Sequence, residues 1–209
     1  MPVILNKIEE KYHLGIWKVE EDFDTLFSQV KLNDRDCNTL NSFQSHSRKI
    51  EWLSVRTLLK QMLNNDTGIY YDQRRKPYLE GNSKHISISH SNEITSVLIS
   101  DHHKVGIDLE YMSHRIDKIS DRFMSDKEYI NCSKELVRYH LYIHWCAKEA
   151  LYKICDKEGL NFKTNLIISP FEPADEGVIN GKVIRERQNE EFILNYFKLN
   201  NYIVVWCLK

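Results

Sequence analysis

One stretch, Val105-Gly106-Ile107-Asp108-Leu109-Glu110, constrains this chain more than any other. It is a short apolar run broken only by two carboxylates two residues apart. Side chains alternate faces along an extended strand, so Asp108 and Glu110 share one face while Ile107 and Leu109 take the other. The apolar surroundings predict a buried strand, and a carboxylate buried without a partner is costly. Whatever packs on that face must therefore bring a cation or a proton. The segment Trp145-Cys146-Ala147-Lys148-Glu149-Ala150-Leu151-Tyr152-Lys153 reads as helix, with Trp145, Glu149 and Lys153 near one face. Brought together, Asp108, Glu110 and Glu149 can surround one hard cation, with Lys153 a turn away. Magnesium takes oxygen ligands and keeps positions for water and substrate phosphates, so two or three carboxylates with open positions suit it. Taken singly, each residue has a plainer reading. The strand carboxylates can be an exposed face, Glu149 and Lys153 a surface pair, and Trp145 a core residue.

At 209 residues the chain can build one sizeable core or two small ones. A net charge of −1 gives no general reason to expect nucleic acid or a membrane surface as partner. The N-terminus lacks the pattern of a signal peptide, and no apolar run approaches the roughly 20 residues that span a bilayer. The five cysteines, Cys37, Cys132, Cys146, Cys155 and Cys207, are scattered without a CxxC pair, which favours reduced packing residues over disulfides or zinc. The expectation is a soluble cytoplasmic protein.

In order, residues 10–19 predict a strand and 20–30 an amphipathic helix built on Phe23, Leu26, Phe27 and Val30. A thinner helix is expected over 34–45, and another capped by Ser47 and running to about Leu63. Residues 69–80 read as an irregular loop, since Pro77 disfavours a helical Lys76. A hairpin follows, 85–89 and 94–100, turning through Ser91-Asn92-Glu93. The second half predicts helix over 115–123, a capping box Ser125-x-x-Glu128 at a helix start, and the longest helix from Ser133 to about Asp156. Strands are expected over 165–169, 178–184, 192–198 and 202–208. Helices first and a hairpin later, twice, predicts an α+β fold made by pseudo-two-fold duplication. Its halves are 1–104 and 105–209, with the active site in the cleft between them.

The candidate phosphate binders lie in the first half: Arg48, Arg56, Lys76 and His90, each with a plain reading as a solvated side chain. His90 ends the cluster Ser87-Ile88-Ser89-His90-Ser91, whose hydroxyls and imidazole can donate to phosphate oxygens, and arginine adds a bidentate fork. No P-loop, dinucleotide fingerprint or nucleophile elbow is present.

Six short segments, in order, resemble the 4'-phosphopantetheinyl transferases of the surfactin-synthetase-activating type. They are Arg56-Thr57-Leu58-Leu59, Lys76-Pro77 (where Arg75 replaces the family's glycine), Ile88-Ser89-His90-Ser91, Gly106-Ile107-Asp108-Leu109-Glu110, Arg122-Phe123-Met124-Ser125 with Glu128, and the Trp145–Lys153 segment. The resemblance runs from Arg56 to Lys153; the ends of the chain add pattern and length only.

The resemblance implies transfer of 4'-phosphopantetheine from coenzyme A to a serine of an apo acyl or peptidyl carrier protein, with release of adenosine 3',5'-bisphosphate. It makes Asp108, Glu110 and Glu149 ligands of Mg2+ (or Mn2+), and assigns catalytic roles to Asp108, Glu149 and Lys153. Arg56, Lys76, Ser89 and His90 would hold coenzyme A, and Lys153 would reach its diphosphate. Lys148 belongs to the same motif, and Trp145 would shape the site. A further basic position falls to Arg48 in preference to Lys31. Either Glu149 or a water on the metal takes the serine proton. The alternatives are a coenzyme A or carrier-binding protein without turnover and a metal-dependent phosphohydrolase. Two halves in one chain make a monomer sufficient.

Overall fold

The computed structural model describes residues 3–81, 83–128, 130, 133–156, 159–186 and 188–209. The chain divides into two compact units, Met1–His102 and His103–Lys209. In the first, strands β1 (Val3–Ile8) and β2 (His13–Lys18) precede helices α1 (Phe23–Gln29), α2 (Asp34–Ser42) and α3 (His46–Leu63). A two-stranded ribbon β3 (Ile69–Tyr71) and β4 (Pro77–Leu79) follows, then the hairpin β5 (His85–Ser91) and β6 (Ile94–Ser100). The four long strands form an antiparallel sheet in the order β1-β2-β6-β5. Leu53, Leu58 and Leu59 of α3 build the core with Trp17, Ile86, Val97 and Ile99 of that sheet.

Three details of this unit differ from the sequence-based expectation. Strand β1 was not foreseen, because its side chains are largely exposed and mark no buried face. The segment read as a loop contains β3 and β4; Pro77 opens β4, a position that needs no ladder donor. The cap of α3 is Ser45, whose hydroxyl accepts from Arg48 N at 3.4 Å, and not Ser47.

The second unit runs β7 (Val105–Tyr111), a short 3-10 turn (Ile116–Lys118), α4 (Ser120–Phe123), α5 (Lys134–Ile154), β8 (Leu166–Ile168), β9 (Glu176–Ile184), β10 (Asn189–Leu199) and β11 (Tyr202–Leu208). Its sheet has the order β7-β11-β10-β9-β8, every pair antiparallel. Cys146, Ala147, Ala150, Leu151 and Ile154 of α5 pack on Ile203, Val205 and Leu194 of that sheet. Only half of the Ser125-x-x-Glu128 box forms: Glu128 Oε2 accepts from Ser125 N at 2.8 Å, while the Ser125 hydroxyl accepts from Lys127 N at 3.3 Å. Among the described residues it closes a turn and starts no helix, and the Glu128 carboxylate is drawn into the interior.

Both units place a long helix between a strand and a hairpin, and both pair the strand that precedes their helices with the second arm of the hairpin: β2 with β6, β7 with β11. Cys37, Cys146, Cys155 and Cys207 are free thiols, and Cys132 lies outside the described residues. Among the described residues no helix is long and apolar enough to cross a membrane.

Candidate functional site

Strand β7 is buried from Val105 to Leu109. Its even-numbered side chains face α5. A Cβ on Gly106 would stand 2.2 Å from the backbone oxygen of Ala150, so only glycine lets the helix lie this close. Two residues on, Asp108 is 4% exposed, and its Oδ1 accepts from Lys153 Nζ at 2.8 Å. The same ammonium donates to the carbonyl of Ile107 at 2.9 Å. Burial pushes the Cys146 thiol well above its usual range, and the charges of Asp108 and Glu110 push it further. Both carboxylates therefore act on the same point of α5.

Helical spacing sets Glu149 three residues after Cys146 and four before Lys153, on the face toward β7. Trp145 lies at the edge of that face and turns elsewhere. It stacks on Phe162 at 5.5 Å and meets Phe123 edge-on at 5.2 Å. Among the described residues no three His, Cys, Asp or Glu side chains stand close enough together to hold a metal ion. The cation beside Asp108 is Lys153.

Lys148 points away from this face. It is fully buried and donates to Phe123 O at 2.6 Å, Glu128 Oε2 at 2.6 Å and Phe162 O at 2.9 Å. Burial pulls its ammonium below the usual lysine range against the opposing charge of Glu128. For Glu128 burial acts upward, but the contacts with His144 and Lys148 outweigh it and hold the carboxyl below its ordinary value.

In the first unit, α3 and β5 bring Arg48 and His90 together at 2.9 Å. Arginine has donors only, so His90 Nε2 accepts and the imidazole carries its proton on Nδ1. Glu51 joins them, 2.9 Å from Arg48 and 3.6 Å from His90. Half-exposed Arg48 keeps further N–H groups for an anion. Ser89 is buried one residue before His90. Lys76 follows Arg75 at the tip of the β3–β4 ribbon, where Asp72 Oδ1 accepts from Arg74 N and Lys76 N at 2.9 and 2.8 Å. Arg56 is not among this group. It lies eight residues along α3 from Arg48, a rise of about 12 Å. Its guanidinium carbon stands 3.2 Å from the centre of the Trp52 ring, and it pairs with Asp36 at 3.1 Å, 6% exposed. Lys31 lines a pocket with Arg56, Lys60 and Asp66, away from His90.

Sequence reasoning missed Glu51, Cys146 and the partner role of Glu128. Glu51 stands at i+3 from Arg48 and Cys146 at i−3 from Glu149, spacings that a helical reading of those segments already contained.

A search of curated proteins returns no match. Residues 104–207, the stretch holding β7, α5 and the Asp108–Lys153 pair, match the family model of the 4'-phosphopantetheinyl transferase superfamily, and this part of the chain is a domain of that superfamily.

Proposed function

We propose that the protein transfers 4'-phosphopantetheine from coenzyme A to a serine hydroxyl of an apo carrier protein, in the manner of the surfactin-synthetase-activating type. The observation that carries this reading is the buried Asp108 held by Lys153 where α5 crosses β7, inside the matched family segment. Asp108, Glu110 and Glu149 supply hard oxygen donors, and the ammonium now beside Asp108 marks a place that calls for positive charge. Their oxygen chemistry suits Mg2+ or Mn2+, and the three would hold it once their side chains turn toward one point, which they do not share in this structure. When bound, such an ion would offset the negative charge that builds on the diphosphate.

The chain's own groups do the rest. Lys153 neutralises charge on the same diphosphate at its Nζ. Arg48 and His90 grip a phosphate of coenzyme A, Ser89 and Lys76 extend that grip, and Glu51 orients the first two. Either Glu149 or a bound water would accept the serine proton. Holding both reactants in line removes much of the entropic barrier.

The test is mass spectrometry of several apo carriers incubated with coenzyme A, Mg2+ and the protein. The expected result is a gain of one phosphopantetheine group on at least one carrier. Coenzyme A cleaved without a carrier would instead indicate a phosphohydrolase, and binding without product a carrier or coenzyme A binder. Asp108→Asn and Glu149→Gln are each expected to slow transfer by roughly 100-fold or more. Near-normal turnover in either would sink the metal assignment.

A further inference from the structure

The two units repeat one device. In the second, Ser125 and Glu128 close a turn three residues wide, and Lys148 of α5 reaches Glu128 across 20 residues of chain. In the first, Asn33 caps α2 onto Asp36 three residues on, and Arg56 of α3 reaches Asp36 across the same 20 residues. All four charged side chains are buried. Each helix then crosses its sheet at a glycine. Gly15 lies against Leu58 and Met62, Gly106 against Ala150 and Ile154, two and six residues beyond the buried cation in both cases.

A buried ion pair adds little net stability, because desolvation offsets the attraction. Its value lies in register, since only one placement of the two elements satisfies both charges. Lys148 has no donor left for a ligand: an ammonium has three N–H groups, and Phe123 O, Glu128 and Phe162 O take all three. The first unit supplies the control. At the places of Asp108, Glu149 and Lys153 it carries Trp17, Thr57 and Gln61, counted from the same glycine and the same buried cation. The pair persists where the catalytic charges do not.

We propose that Glu128–Lys148 is a positioning clamp that fixes α5 over β7, and so holds Glu149 and Lys153 against Asp108. Asp36–Arg56 does the same for α3 and sets Arg48 against His90. For Arg56 this internal role replaces the contact with coenzyme A that the family resemblance implied. The catalytic consequence rests on the transferase reading; the clamp itself does not.

The test is a double-mutant cycle on the full chain with Glu128→Gln, Lys148→Gln and the pair combined. Urea unfolding is measured alongside kcat and KM for coenzyme A. Each single variant is expected to lose stability and roughly 100-fold in kcat, with KM within about 2-fold. The neutral pair is expected to recover most of the stability and at least about 10-fold of the rate. Stable single variants with unchanged kcat would overturn the clamp, as would a stable double variant no faster than Lys148→Gln. Should a single variant fail to fold, the double decides: folded and active supports the clamp, folded and inactive or unfolded overturns it. If the wild-type protein transfers nothing, the transferase reading fails. The clamp is then judged on stability alone, and additive single effects would refute it.

Discussion

Arg75 stands at φ +59°, in the left-handed region that crowds an L side chain. The other non-glycine residues found there among the described ones are Asn64, Asn92, Asn200 and Asp156, types that tolerate it. The family resemblance marks this position as glycine, and the backbone keeps the glycine conformation under an arginine. Asp72 holds it by accepting from the N–H groups on either side. The crowding costs about 1–2 kcal/mol, whereas glycine adds unfolded-state freedom of about 0.5–1 kcal/mol. Arg75→Gly is therefore expected to stabilise the protein by about 0.5–1 kcal/mol in urea unfolding. A loss would show that the arginine side chain itself secures the ribbon. At this scale the sequence disclosed the carboxylates and Lys153, but not the burial of Arg56 and Lys148. Their partners arrive from a turn 20 residues upstream, and helical periodicity carries no trace of such a distant acid.

At the scale of elements, legibility follows burial. Strand β11 was read to its ends, because a run apolar on both faces follows an Asn-Asn turn. Strands β9 and β10 extend two to three residues beyond their predicted starts, into polar residues that pair without being buried. The ribbon β3–β4 and the edge strand β1 left too little apolar pattern to find. The two helix crossings were not legible at all, yet they set the sites. At Gly106 an added methyl meets backbone, which cannot swing aside, whereas at Gly15 it meets Met62 Sδ at 2.5 Å, the flexible end of a side chain. Gly106→Ala is expected to cost about 2–3 kcal/mol in urea unfolding and Gly15→Ala under about 1 kcal/mol. Equal costs would mean that α5 shifts as readily as a methionine.

At the scale of the whole molecule, a strong source of acid sensitivity lies in the core of the second unit. His140 is fully buried against His144 and Phe171. Burial, and then the charge of His144, push its imidazole from 6.5 down to about 4. Between those values the unfolded chain binds a proton that the folded chain refuses, so stability falls as pH drops from 6.5 toward 4. Glu128 works in the same direction lower down. Its carboxyl is held below 4.5 in the fold, so its contribution is present above that value and is lost as the folded group takes up its proton. Unfolding free energy is expected to drop by about 1–3 kcal/mol between pH 7.5 and 4.5. His140→Leu should flatten much of that slope; an unchanged slope would place the sensitivity elsewhere.

The closeness of α5 to its sheet also governs which sulfur atoms can react. Cys146, Cys155 and Cys207 are all buried in the second unit, and burial raises all three thiols. Only thiolate attacks an alkylating reagent, so these three stay silent while the unit is closed. Cys37, half-buried in the first unit, is the described thiol that iodoacetamide should modify first. Carbamidomethylation of the other three then becomes a clock. Its rate counts the moments when helix and sheet part, with the native thiols as the only reporters.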